Sequence, residues 1–388
     1  MKTSVLIVGG GVMGAAVARA LAVRGAATTL LEKSRLGAGS SGKSGAILRC
    51  FYPHATLVRM ARDGRDAYER LDRDGRPPIG FRRPGMLFLA PRPRLDMLRG
   101  VVELMNANGV RAEVLEGAAL RAVEPRLAGV DDVVGAWEPD AAFVDPQRTV
   151  VALADAARRA GATVVCGERV LRLAVEGGRV TGVVTDAGVR RADAVVLAAN
   201  AWTDGLLAPS GVRAPIVAVR PEQAYLEPPP DFGPPAPIIA DFDLDVYFKD
   251  EGGRGVRIGK LGFEDDARID PDRYDEGVSG AFVRWTRLQV ARRLPAFADA
   301  TSWGGCGAVY AVTPDAQALI GPAPGLPGAF LCAGFSGHGF KLAPAVGEGV
   351  AEMVLDGAAK AFDAEFFDPG RFAAGRAHVA LTDRPILG

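Results

Sequence analysis

The glycines of Gly9-Gly10-Gly11-Val12-Met13-Gly14 fall at the spacing G-x-G-x-x-G, and Glu32 follows about 20 residues on. The chemistry this pattern serves is anion binding. Gly9 permits a tight turn, Gly11 lets backbone approach a pyrophosphate, and Gly14 lets a helix pack closely on a strand. Val12 and Met13 open that helix, whose first N–H groups face the phosphates. Glu32, with Lys33 beside it, stands where a carboxylate accepts hydrogen bonds from ribose hydroxyls and repels a 2′-phosphate. The pattern calls for a dinucleotide. Alone it does not separate NAD from FAD.

A second glycine-rich string, Gly334-Phe335-Ser336-Gly337-His338-Gly339-Phe340-Lys341, leads into an apolar helix expected from Leu342 to about Leu355. It offers another helix start to a partial negative charge, such as the pyrimidine end of a reduced flavin. Gly334, Gly337, His338, Gly339, Phe340 and Lys341 are therefore candidate cofactor contacts. A lysine in a first helical turn opposes the helix dipole at a cost of up to about 1 kcal/mol. Lys341 either points to solvent or faces an anion. His338, between two glycines, either fixes the loop or touches the reacting groups. The small-residue stretch 37–45 is either a surface linker or a backbone-rich wall for a flat ring. As a wall it adds Ser40, Ser41, Gly42, Ser44 and Gly45. Val170, Ala199, Asn200 and Trp202, at the ends of later strands, complete the candidate set.

The elements that must position these residues follow from periodicity. Ser4 to Val8 is a short β-branched run and reads as a buried parallel strand. A helix up to Gly25 and a second strand from Thr28 to Leu31 complete a βαβ unit. Helices are expected over about 57–71, 94–107 and 147–159. Strands are expected at 86–89, 163–165, 170–175, 180–185 and 193–199, with Gly177-Gly178 as a hairpin turn. Residues 246–248 and 255–258 read as strands. Residues 271–293 read as one long amphipathic helix with Phe282, Trp285, Leu288 and Ala291 on one face. Strand-rich middle segments lie between two nucleotide-type segments, which predicts interleaved domains.

Composition limits the function classes. The chain has 388 residues, 48% hydrophobic and 24% charged, as in a globular protein of two or three domains. Lys+Arg 46 balances Asp+Glu 46, which argues against a nucleic-acid partner. The four cysteines form no C-x-x-C pair and there are three histidines, so neither a disulfide framework nor a metal site is expected. No run is long and apolar enough to span a membrane, and a cytoplasmic location is expected.

Taken together, the Gly9–Glu32 unit, Val312-Thr313-Pro314-Asp315 and the 334–341 string resemble the FAD-dependent D-amino-acid oxidase superfamily, nearest its monomeric sarcosine oxidase and glycine oxidase branch. The resemblance runs from residue 3 to about 358. It implies an α/β fold overall: a Rossmann-like FAD-binding domain (1–76, 143–214 and 303–388) interleaved with a substrate domain on an antiparallel sheet (77–142 and 215–302). It implies that Arg49 holds a substrate carboxylate, that Lys341 assists, and that Lys260 activates dioxygen beside the flavin. The chemistry of each agrees: Arg49 offers a bidentate fork, and Lys260 would stabilise developing negative charge. The plainer readings are an ordinary buried ion pair for Arg49 and a solvated strand-end lysine for Lys260. Three positions depart from the branch. Ala308 stands where it attaches FAD through cysteine, so non-covalent FAD is expected. Glu264 replaces a histidine near the substrate, and Ala46 an arginine near the flavin. The implied activity is oxidation of a primary or secondary amine of a small amino acid to an imine, with dioxygen as acceptor and hydrogen peroxide as product. The alternatives are a dehydrogenase feeding a quinone or partner protein, a flavin-holding subunit without turnover, or an NAD-linked enzyme. Oligomeric state is left open.

Overall fold

The computed structural model describes residues 2–75, 77–233, 236–251, 255–263 and 266–378. Its nucleotide half is a six-stranded sheet in the order Leu319–Pro322, Ala329–Ala333, Ala194–Leu197, Ser4–Val8, Ala27–Glu32, Thr163–Cys166. Neighbours pair in parallel except the first two. The two-residue period decides its packing. Val5 and Ile7 face helices Val12–Val23, Pro146–Arg159 and Ala343–Asp356. Leu6 and Val8 face a three-stranded antiparallel sheet built from residues 170–191. Both faces are covered, so Ser4–Val8 reads as an unbroken apolar run. Helix Val12–Val23 is buried nearly all round, and its alanines allow very close neighbours. A Cβ at Gly347 would come 2.8 Å from the Ala16 carbonyl carbon.

The second half is an eight-stranded, mostly antiparallel sheet in the order Ser302–Gly307, Glu222–Leu226, Val256–Lys260, Val246–Asp250, Ile238–Asp241, Met86–Pro91, Val133–Glu138, Glu113–Glu116. Leu87, Ile239, Phe248 and Ile258 turn to a core of their own, capped by helix Gly280–Arg293. Met86, Phe88, Ala240 and Tyr247 turn the other way and merge with the nucleotide-side core. The site lies on that shared side.

The long helix expected over 271–293 is corrected: the helix is Gly280–Arg293, and 271–279 is an irregular strap that opens on a turn. Ser279 starts the helix, its hydroxyl accepting from Phe282 N at 3.1 Å. Asp275 bonds the Gly277 N–H at 2.8 Å, a local turn that competes with helix. The buried face differs too: Thr286, Val290 and Arg293 point inward, and Leu288 is exposed. Arg293 pairs with buried Asp241 at 2.6 Å, so an ion pair occupies ground where an apolar stripe was expected.

Candidate functional site

The first glycine loop is shaped by close approach. Gly9 has φ +113°, and a Cβ there would stand 2.6 Å from the Ala198 carbonyl oxygen. A Cβ at Gly14 would stand 1.9 Å from the Gly9 oxygen, so any side chain would push helix from loop. The Val12 N–H at the helix start donates to Ser41 Oγ at 3.0 Å. Glu32 accepts from Gly10 N at 2.7 Å and Ser34 N at 2.9 Å. A carboxylate has further lone pairs, so the same group that shapes the loop has acceptors left for a ribose.

A cavity of about 580 Å³ runs from this loop to the second glycine string. Its walls include Gly9, Gly11, Val12, Met13, Glu32, Lys33, Ser40, Ser41, Ser44, Val170, Ala199, Asn200, Trp202, Gly337, Gly339 and Phe340. The remaining candidates stand behind the walls. Gly14 packs the helix, and Gly42 sits where a Cβ would meet Gly37 O at 2.4 Å. Gly45 borders Arg257, and Gly334, at φ +75°, donates its N–H to Asn200 Oδ1 at 3.2 Å. His338, Lys341, Arg49 and Lys260 do not line the cavity. The wall of bare backbone and the helix start beside it suit a long dinucleotide spanning both loops.

Residues 37–45 form a wall. Ser40–Lys43 makes a 3₁₀ turn over the helix start, tied by Ser40 Oγ to Val309 O at 2.6 Å. The strap closes the opposite side, where Pro271, Asp272, Tyr274 and Glu276 line the cavity. Asp272 accepts from Lys33 Nζ at 2.5 Å and Trp202 Nε1 at 3.0 Å. Lys43 Nζ reaches Tyr274 Oη and Glu276 Oε2, both at 2.8 Å. Burial lowers the Lys43 pKa, but Glu276 and Tyr274 outweigh it and hold the amine charged. The sequence reading missed the strap and Lys43. Its signal was the acidic run 270–276 facing a lysine inside a glycine-rich loop.

Behind the second string lies a buried polar cluster. Arg49, 1% exposed, stacks its guanidinium 4.5 Å from the Tyr52 ring centroid. Lys341, 2% exposed, places Nζ 5.7 Å from the same centroid. Burial and then the Arg49 charge push the Lys341 pKa well down. Lys341 lies in the 3₁₀ turn Phe340–Leu342 ahead of the α-helix, and it points inward. His338 is fully buried with Nε2 2.9 Å from Ala316 O. A carbonyl only accepts, so Nε2 carries the proton and Nδ1 accepts from the Tyr52 hydroxyl at 3.3 Å. Burial, with Lys341 nearby, lowers the His338 pKa to about 3 and keeps it neutral.

Lys260 ends its strand with Nζ 3.7 Å from Asp245 Oδ2. Its neighbour Arg257 faces the cavity side instead, bonding Gln223 Oε1 at 2.5 Å and Lys43 O at 2.9 Å. Lys249, beside Glu251 at 2.9 Å, is buried enough to fall to about pKa 8. Ala308 lines the cavity, and Cys306 lies on the strand beside Gln223, Sγ 4.0 Å from the Tyr225 hydroxyl. Ala46 is buried at φ +48°. Glu264 lies outside the described residues. Among the described residues no cluster of metal-binding side chains occurs, and no helix is long and apolar enough to cross a membrane.

The family model for FAD dependent oxidoreductases matches residues 4–353. The chain therefore belongs to that family, the D-amino-acid oxidase superfamily. It is 31% identical to a 4-methylaminobutanoate oxidase (formaldehyde-forming) from Paenarthrobacter nicotinovorans, over 95% of this chain and 45% of that protein. It is 28% identical to a monomeric sarcosine oxidase from Streptomyces avermitilis, over 96% of this chain and 98% of that one. Among solved structures, an L-proline dehydrogenase from P. horikoshii superposes with TM-score 0.89 at 28% identity, over 97% and 99% of the two chains. The chain spans less than half the length of the first curated relatives it matches.

Proposed function

We propose that this protein oxidises the secondary amine of a small amino acid to an imine, with FAD held non-covalently in the cavity and dioxygen as acceptor. The observation that carries this reading is the burial of Arg49 and Lys341 against one aromatic ring, directly behind the cavity wall formed by Gly337, Gly339 and Phe340. A buried guanidinium beside a buried lysine amine is a place for an anion, and a carboxylate matches the fork of Arg49. The relatives' names support the class: 4-methylaminobutanoate, sarcosine and L-proline are each a secondary amine bearing a carboxylate. The same names include oxidases and a dehydrogenase.

Bound FAD supplies a hydride acceptor and a route for the electrons to dioxygen. The chain's own residues do the rest. Arg49 and Lys341 take the carboxylate and so fix the amine. Their charge also disfavours a neighbouring ammonium, so the amine is held in the neutral form that can release a hydride. The Tyr52 ring lies against both cations, and His338 orients its hydroxyl. His338 acts here as a positioning residue, its nitrogens both engaged. Lys260 is assigned to the acceptor step on the family resemblance alone, since it lies beside Asp245 and off the cavity wall. Ala308 at the cavity surface offers no nucleophile, which favours non-covalent FAD.

Replacing Arg49 with Lys should raise KM for an N-methyl amino acid about 30–150-fold, the equivalent of ~2–3 kcal/mol for a lost charge-assisted fork. The rate with the matching amine lacking a carboxylate should not change. Equal losses on both substrates would remove the clamp. Peroxide in the same assay, diminished in Lys260→Met, supports dioxygen; its absence in the unaltered enzyme assigns a dehydrogenase.

A further inference from the structure

Gln223 has no part in the chemistry assigned so far. It lies on the strand Glu222–Leu226 of the larger sheet, is 3% exposed and forms part of the cavity wall. Its neighbours place it at the second-string end. It stands opposite Cys306 in the pairing with Ser302–Gly307. Ala308, which follows that strand and lines the cavity, donates its N–H to Pro221 O at 2.9 Å. Tyr310 packs on the second glycine string, where a Cβ at Gly337 would meet its ring at 2.6 Å. A dinucleotide that lays its phosphates on the first loop and a ribose on Glu32 carries its flavin to this end.

The Gln223 amide has one orientation. Arg257 Nη1 lies 2.5 Å from Oε1, and a guanidinium only donates, so the atom it meets is the carbonyl oxygen. Arg257 is fixed in turn: Nη1 also donates to Lys43 O at 2.9 Å, and Nε donates to Glu251. Glu251 holds Lys249 Nζ at 2.9 Å, and that amine lies 4.1 Å from the Phe143 ring centroid. Gln223 Nε2, which carries two N–H groups, meets no acceptor among the described residues. It is not sealed from solvent, and the space that Gln223 borders is the cavity.

We propose that Gln223 donates a hydrogen bond to the flavin ring of FAD and that Arg257 is the residue that positions it. Two-electron reduction also brings one proton to the ring and leaves it with a negative charge at neutral pH. A donor bonds an anionic acceptor more strongly than a neutral one. The Gln223 amide therefore favours reduced flavin and raises the reduction potential of the bound cofactor. The effect involves no amine, so it stands or falls separately from the carboxylate clamp.

The test is the two-electron reduction potential of the FAD-loaded protein, read against a reference dye while xanthine and xanthine oxidase supply the electrons, with no amine present. In Gln223→Met the potential should fall by about 30 mV, a tenfold shift of a two-electron equilibrium against reduced flavin. Arg257→Lys keeps a cation for Glu251 but loses the fork. It should lower the potential by part of that amount, and in the Gln223→Met background it should add nothing. An unchanged potential in Gln223→Met overturns the proposal, whatever happens to KM for an N-methyl amino acid. Equal shifts from Arg257→Lys with and without Gln223 overturn the positioning role. If Gln223→Met does not hold FAD, Gln223→Glu, which keeps an oxygen for Arg257 and has no donor, is read instead. A lower potential there supports the proposal, and an unchanged one contradicts it.

Discussion

His338 illustrates how much a single side chain's role depends on what surrounds it. Between two glycines a histidine can be a proton carrier or a brace, and the sequence holds both readings open. Burial decides for the brace, because a pKa of about 3 leaves no proton to exchange near neutrality. The consequence is a stability effect. Unfolded, the imidazole binds a proton near its ordinary pKa of about 6.5; folded, it does so only near 3. Between those values the unfolded chain holds the extra proton. The neutral form's contribution is thus complete above about 6.5 and is lost as pH falls, by up to ~1.4 kcal/mol per unit. Urea unfolding at neutral pH and at about pH 5 should show a smaller drop in His338→Gln than in the unaltered protein. Identical drops would mean that His338 is already charged in the folded state. Arg49 and Lys341 were readable as a pair only through family resemblance, since nearly 300 residues separate them. Gln223 carried no sequence signal at all, because a lone glutamine on a strand is usually solvated.

At the scale of elements, the glycine loop, its helix and the acid at the next strand's end were legible because each obeys a local rule: β-branched run, glycine spacing, helix period. The strap was not. Pro271 at its start and its acids break no rule of a helix strongly enough to be noticed in isolation, and what holds it in place is distant: Lys33, Trp202 and Lys43 from the nucleotide half. The strap borders the cavity, so it should govern cofactor exchange rather than fold stability. Exposed ion pairs contribute about 0.2–1 kcal/mol each, and Asp272 meets Lys33 with Arg169 at 3.7 Å beyond it. Asp272→Asn should therefore release FAD about threefold to tenfold faster, with Tm nearly unchanged, and salt should speed release from the unaltered protein. Stopped-flow capture of released FAD measures this. A release rate indifferent to both changes would make the strap a bystander.

At the scale of the molecule, the chain crosses between its two sheets several times. Segments from both ends of the sequence build the six-stranded sheet, and the larger sheet draws on residues 86–138 and 222–307. We propose the division into 1–76, 143–214 and 303–388 against 77–142 and 215–302 on this basis. Interleaving was visible in the order of strand-rich and nucleotide-type segments, whereas register and the parallel contact between Met86–Pro91 and Ile238–Asp241 were not. Those depend on which faces meet, and a linear pattern does not encode that. The interleaving also has a functional effect: it brings the loop at residue 9 and the turn before residue 341 to one cavity, with the buried side chains of Arg49 and Lys341 behind its wall.

The account stands on that cavity holding a flavin that a small secondary-amine acid can reduce. The direct measurement is an anaerobic titration of the purified yellow protein with sarcosine, other N-methyl amino acids, L-proline and glycine, followed by flavin absorbance. The account predicts rapid bleaching by one or more secondary-amine acids, slower or no bleaching by glycine, and much slower bleaching by the corresponding amines without a carboxylate. A flavin that keeps its colour with every amino acid tested, or one bleached equally well by amines lacking the acid group, would contradict it.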